Sequence, residues 1–218
     1  MKISIKALLP IMAIFFLAAC SSTPEGEQVE ANEASEVATG TAGMTYLVNT
    51  ADSKVNWLAS KVTAQHPGTI KLTEGKFVVN NGVVTSGKFT IDMNTITVND
   101  PNMDAENTGK LTGHLKSDDF FDVANYPTGT FEVVSCVPAQ GEVDVTHRLT
   151  GNLTLKGITK SITIPANIVI SETMVQAVSP QFTINRQEWN MTYPGAPDNL
   201  INDQIGLRLE VYAAPAPM

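Results

Sequence analysis

From residue 44 onward, apolar side chains recur at every second position in short runs broken by turn residues, and this period of two constrains the chain more than any other feature. Phe89, Ile91 and Met93 alternate with Lys88, Thr90 and Asp92, and Ile205, Leu207, Leu209 and Val211 alternate with Gly206, Arg208, Glu210 and Tyr212. Successive side chains of a strand point to opposite faces, so these runs are strands with one buried face. The same reading covers residues 54–60, 69–72, 76–80, 130–137, 143–156, 161–170, 175–179 and 181–186. Turn chemistry stands between them at Asn80-Asn81-Gly82, Ser86-Gly87, Gln140-Gly141 and Lys156-Gly157. Regular spacing of this kind predicts an all-β antiparallel sandwich or barrel.

One segment departs from that period. In DAENTGKLTGHLKSDDFFD, residues 104–122, Leu111 and Leu115 lie four apart, and Asp118 and Asp119 have the look of helix caps. One or two short helices are predicted near 105–122, ended by Pro127. A helix inserted between strands is well placed to close one mouth of a barrel. An antiparallel barrel of about eight strands has room inside for its own side chains or for one slender ligand. The interior candidates Trp57, Phe77, Phe89, Phe131, Phe182 and Trp189 are aromatic, so a guest among them is expected to be largely hydrocarbon. Phe120 and Phe121 are expected to cover apolar interior, with His114 and Lys116 at the wet edge where a polar head would sit.

The first residues obey other rules. Lys2 and Lys6 precede an apolar run, Ala7 to Leu17, too short to span a bilayer as a lasting helix and suited to a signal peptide over residues 1–19. Leu17-Ala18-Ala19-Cys20 resembles the lipobox of bacterial lipoproteins, in which the cysteine is acylated and becomes the new N-terminus. Ser21, rather than an aspartate, follows it, which resembles the outer-membrane sorting pattern. The expected location is therefore the cell envelope, anchored by lipid to the outer membrane and facing the periplasm. Residues 21–43 hold five glutamates and no basic or aromatic residue, the composition of a disordered tether. Residues 44–214 form the domain and 215–218 a tail.

Charge and cysteine content exclude whole classes. The formal charge is −8, and removal of Lys2 and Lys6 takes it to −10, with no basic cluster, so nucleic acid is not an expected partner. With Cys20 acylated, Cys136 is the remaining cysteine and no internal disulfide forms; its apolar surroundings read as a buried structural site. No GxSxG elbow is present, and His66, His114 and His147 stand in unrelated contexts, so the chain is read as a non-enzyme. His114 and Asp118 share a helical spacing, but two ligands do not make a metal site. No metal and no cofactor is expected. The competing readings are a barrel filled by its own side chains that serves as an interaction protein, and a weak hydrolase or metal-assisted enzyme using His114.

Several segments together resemble the YceI-like family: HLKSDDFFDVANYPTGTF, GKFTIDMNTI, LTGNLTLKGITKSITIP, FTINRQEWN and INDQIGLRLEVYA, in that family's order over about residues 44–214. The resemblance implies an extended lipocalin-like antiparallel β-barrel of about eight strands, with a tunnel holding an amphiphile such as a polyprenyl chain, an isoprenoid quinone or a fatty acid derivative. The landmarks His114, Leu115, Asp119, Phe120, Phe121, Pro127, Phe131, Gly151, Leu153, Leu155, Gly157, Thr159 and Arg186 match it. Most of them maintain the fold. Arg186 either pairs with an acid such as Glu188 or holds a carboxylate or phosphate at the barrel mouth. Two stretches depart from the family pattern, KVTAQHPGTIKL around His66 and EWNMTYPGAPDNLIND, and both are expected to remodel one mouth. The expected partners are the membrane, through the anchor, and a hydrophobic small molecule; a homodimer is compatible with the sequence.

Overall fold

The structure, a computed structural model, describes residues 23–37 and 42–217. The lipobox and Cys20 lie outside the described residues. The strands, in chain order, are β1 Glu27–Gln28, β2 Asn32–Glu33, β3 Met44–Val48, β4 Lys54–Lys61, β5 Ala64–Asn80 and β6 Val83–Val98. After helix α1, Ala105–Lys116, come β7 Thr128–Pro138, β8 His147–Leu155, β9 Ile158–Ile170, β10 Val175–Val178 and β11 Phe182–Asn185. A 3-10 turn Arg186–Trp189, the small hairpin β12 Gly195–Ala196 and β13 Asn199–Leu200, and finally β14 Gln204–Pro215 complete the chain.

The sheet closes on itself. From β5 to β9 each strand pairs antiparallel with the next; β9 pairs β10, β10 and β11 both pair β14, and β14 returns to β3 and β4, which pair β5. Counting β3 with β4 and β10 with β11 as single broken staves gives the eight-stave barrel expected from the alternation. Closure removes most unpaired edge, the usual hazard of an all-β chain. The two-residue turns suit their hairpins: Asn81 and Gly82 at φ 50° and 77°, and Lys156 and Gly157 at 49° and 74°, supply the paired positive φ of a type I′ turn.

Several boundaries differ from the sequence reading, among them the strand expected from residue 143, which begins only at His147 as β8. Residues 69–72 and 76–80 belong to one strand, β5, whose register slips against β6 between Thr69 and Lys71 and between Leu72 and Glu74; these bulges interrupt the alternation and mimic a break. Ser86-Gly87 is not a turn but lies within β6. Helix α1 ends at Ser117, not at Pro127, because the Ser117 hydroxyl and N–H both turn back to the His114 carbonyl. Its N-cap is Asp104, which accepts from Asn107 N–H at 2.7 Å, whereas Asp118 and Asp119 follow the helix and cap nothing in it. Among the described residues no helix is long and apolar enough to cross a membrane.

The acidic stretch read as a disordered tether holds a larger surprise, because residues 23–37 lie along the barrel wall. Near one end of the barrel, β11 and the first half of β9 have no strand between them: β10 covers only Asn167 to Ile170 of β9. Residues 27–33 fill that seam. Strand β1 runs parallel to β11, Val29 N–H donates to Thr183 carbonyl at 2.8 Å, and β2 pairs antiparallel with Ser161 and Lys160 of β9. Val29 is 6% exposed and belongs to the core, with Ala31 packed against it. Buried Asn152 anchors the end of the segment, accepting from Ser35 N–H at 2.9 Å and donating to Ser35 carbonyl at 2.7 Å. The glutamates that suggested disorder find cations: Glu27 meets Arg148 at 2.6 Å and Glu33 meets Lys160 at 3.0 Å. Two edges that need backbone partners explain why so polar a segment orders.

If the segment is part of the core, Val29→Asp should cost about 3 kcal/mol, equivalent to a fall of roughly 6–12 °C in melting temperature. Glu30→Ala, one residue along and exposed, should change it by under about 0.5 kcal/mol. Thermal unfolding followed by circular dichroism compares the two, and equal melting temperatures would refute a core role for the segment.

Candidate functional site

Alternation along the staves points one row of side chains from each strand inward, and those rows enclose a cavity of about 720 Å³. On β14 the lining residues are Ile205, Leu207, Leu209 and Val211, the row identified from the sequence; on β6 they are Phe89, Ile91, Met93 and Ile96. Past that depth the barrel is solid: Tyr46, Val79, Val84, Val133, Ile168, Val175 and Ala213 are buried without lining the cavity. Phe77, Phe89 and Phe131 stand on this floor, the first two edge to face with ring centroids 4.8 Å apart and the second pair 6.5 Å apart. Gly151 makes room for them, since a Cβ there would lie 2.3 Å from the Phe131 ring.

The open end is polar. Lys61 and His66 from the β4–β5 hairpin, Asn102 and Asp104 from the approach to α1, and Asn107, Lys110 and His114 from the helix all border the cavity. Leu111 and Leu115 turn the same helical face inward, so α1 covers part of the mouth as expected of the helical insert. The two segments that depart from the family pattern meet here: Val62 N–H donates to Leu200 carbonyl at 3.1 Å, joining the β4–β5 hairpin to β13.

Of the ten ligand-facing candidates, nine border the cavity: Trp57, Phe77, Phe89, His114, Phe120, Phe121, Phe131, Phe182 and Arg186. Trp189 does not. It is fully buried on the 3-10 turn with its indole N–H donating to Leu153 carbonyl at 3.1 Å, so it serves packing instead. Trp57 lies flat against the wall because its cross-strand partner is Gly68, where a Cβ would be 2.2 Å from the ring. The Trp57 Nε1 and the Ser60 hydroxyl are buried with no hydrogen-bond partner among the described residues.

The charged candidates have structural duties. His114 Nε2 meets Asp119 Oδ2 at 2.8 Å, not Asp118, and its ring packs edge to face on Phe120 and Tyr193 at 5.0 and 4.9 Å. Among the described residues no cluster of His, Cys, Asp or Glu has the makings of a metal site. Arg186, 2% exposed, pairs with Asp203 at 2.8 Å and donates to the Met191 and Asn202 carbonyls; Glu188 is not its partner. Burial lowers its pKa and Asp203 works against that shift. Cys136 is buried, its thiol pushed up to about 11 by desolvation, as a structural cysteine should be.

A family model described as the YceI-like domain matches residues 46–213, well over half of the chain. The chain belongs to the YceI-like family. Protein YceI of Escherichia coli O157:H7 is 32% identical over 102 residues, covering 47% of this chain and 48% of the relative. The chain thus spans about half the length of the curated relatives it matches. Burkholderia cenocepacia BcnA aligns with a TM-score of 0.62 at 21% identity, over 77% of this chain and 99% of that one. A polyisoprenoid binding domain from Saccharophagus degradans, implicated in plant cell wall breakdown, aligns with a TM-score of 0.60 at 18% identity, over 79% and 99%. These likenesses establish the lipocalin-like YceI barrel as the fold.

Two tests separate structure from site. Arg186→Ala leaves the Met191 and Asn202 carbonyls without their donor and should cost about 3 kcal/mol in urea unfolding; Asp203→Asn, at a half-exposed carboxylate, should cost under about 1 kcal/mol, and equal costs would refute a buried anchor role. The second concerns acid. The backbone N–H of Asn102 and then His66, 2.8 Å away, hold the Asp100 carboxyl below its ordinary range. A depressed carboxyl stabilises the fold above the pKa it has when unfolded, about 3.9, and that contribution fades as pH falls through the lower folded value. Stability measured from pH 5 to pH 2 should therefore drop less steeply in Asp100→Asn than in the parent, and parallel curves would remove this pair from the acid response.

Proposed function

We propose that this protein binds or carries an amphiphilic lipid, its hydrocarbon tail in the barrel and its polar head at the α1 mouth. The observation that carries the reading is the cavity of about 720 Å³ walled by aliphatic and aromatic side chains and bordered by polar ones at one end. Its volume lies within the roughly 300–1,000 Å³ of ordinary small-molecule sites. Taking about 30 Å³ per heavy atom, the share of a water molecule in the liquid, it suits a tail of roughly two dozen atoms, such as an isoprenoid or a fatty acyl chain. A dozen buried methylenes contribute roughly 10 kcal/mol, set against about 4–15 kcal/mol for association. A barrel filled by its own side chains would leave no such space, so the cavity counts against that rival.

The mouth suggests the head. Lys110 is engaged by Glu106 at 2.6 Å, and His66 and Arg186 have their carboxylates, so Lys61 is the bordering cation without an ion-pair partner among the described residues. It suits a carboxylate, phosphate or quinone carbonyl. The relative in Saccharophagus degradans that is described as polyisoprenoid binding supports a prenyl tail. Acylation of Cys20 in the envelope, read from the lipobox, would keep such a carrier beside its cargo.

The test is native mass spectrometry of the full chain carrying Cys20→Ser, purified from a bacterial periplasm, followed by solvent extraction and identification of what is released. A stoichiometric prenyl or acyl molecule, lost in Trp57→Asp, is the expected result. A bare mass that stays unchanged after exposure to quinones, prenyl phosphates and fatty acids would overturn the reading.

A further inference from the structure

The ordered segment 23–37 also bears on orientation. Thr23, its first residue, accepts a hydrogen bond from Asn202 Nδ2 at 2.8 Å. Asn202 belongs to the mouth: its N–H donates to Ser60 carbonyl at 2.9 Å, its carbonyl accepts from Arg186 at 3.2 Å, and Ser60 and Arg186 both border the cavity. Buried Pro24 packs on the outer face of β14 at Gly206, whose Cβ position would lie 3.1 Å from it. The segment then turns at Gly26, φ 126°, into β1 and the seam. It therefore leaves the barrel at the rim and is held there by the wall, not by a loose linker.

Cys20 precedes Thr23 by three residues, so at most about 10 Å of extended chain separates them. We propose that the mouth rim of the barrel, at the β4–β5 hairpin tip and β13, is the face held against a lipid bilayer; the proposal rests on the reading that Cys20 is acylated. A tether of about two dozen free residues would have let the domain tumble on the order of 25–30 Å from the surface. A strapped segment with three residues to spare leaves one end of the barrel in contact. Val62 and Leu200, 63% and 51% exposed, stand side by side on this rim as uncovered aliphatic groups. The cavity opening and the bilayer then share one interface, and a lipid tail passes between them without crossing bulk water, which is expensive for every methylene.

The experiment uses the full lipoprotein, expressed with its leader in a Gram-negative host and reconstituted into phosphatidylethanolamine and phosphatidylglycerol vesicles containing a nitroxide-headgroup lipid. Leu200→Cys on the rim and Val83→Cys at the opposite end, 51% and 49% exposed in the parent, are each labelled with an environment-sensitive fluorophore. Buried Cys136 does not compete for the label. With Cys20 acylation established by intact mass, the label at 200 should be quenched at least threefold more than the label at 83. Equal quenching, or stronger quenching at 83, on acylated protein would overturn the orientation and leave the anchor standing. An unacylated Cys20 would overturn both.

Discussion

The whole architecture depends on β14 finding partners on both sides. Its hydrogen bonds to β10 and β11 on one flank and to β3 and β4 on the other convert a meander into a ring. Once the ring is closed, alternation has only one use: each stave must present one row to the inside and one to water. The cavity, the aromatic floor and the position of the helix are consequences of that closure, because an open sheet with the same rows would collapse onto another layer instead.

Closure is not uniform along the barrel. The floor end is sealed by ordinary backbone pairing and by large side chains, while the mouth end is sealed by borrowed parts: a helix, two hairpins and residues 27–33 in the seam. Each borrowed part is held by few contacts relative to a central strand, the general character of elements that surround binding sites. Lys156 ties the segment after α1 to the end of the 3-10 turn, its ammonium donating to Asp118 carbonyl at 2.7 Å and Asn190 carbonyl at 3.2 Å.

How much of this was legible in the sequence follows from how local the governing interaction is. The staves and the turns at Asn81-Gly82 and Lys156-Gly157 could be read because period-two alternation and glycine turn chemistry are local. Bulges in β5 hid the length of that strand for the same reason: they displace the alternation without ending the pairing. Trp189 was misplaced because the 3-10 turn at 186–189 cancels the strand rule that would orient it. The seam segment was beyond reach, since Val29 and Ala31 are a two-residue signal inside an acidic run, and the edges they cover exist only in three dimensions. The interior aromatics could be named, but their standing around one cavity depended on closure.

Among the described residues, buried side chains fill the floor end, and the cavity opens at the polar end beside α1. If the barrel binds an amphiphile as proposed, water would leave by the way the guest comes in, and the guest would enter tail leading and head trailing. Filling and emptying would then be last-in, first-out for the molecule's own parts: the polar end would be the last group to enter and the first to be offered outward. On that proposed function, whatever received the molecule next would meet the head before the tail.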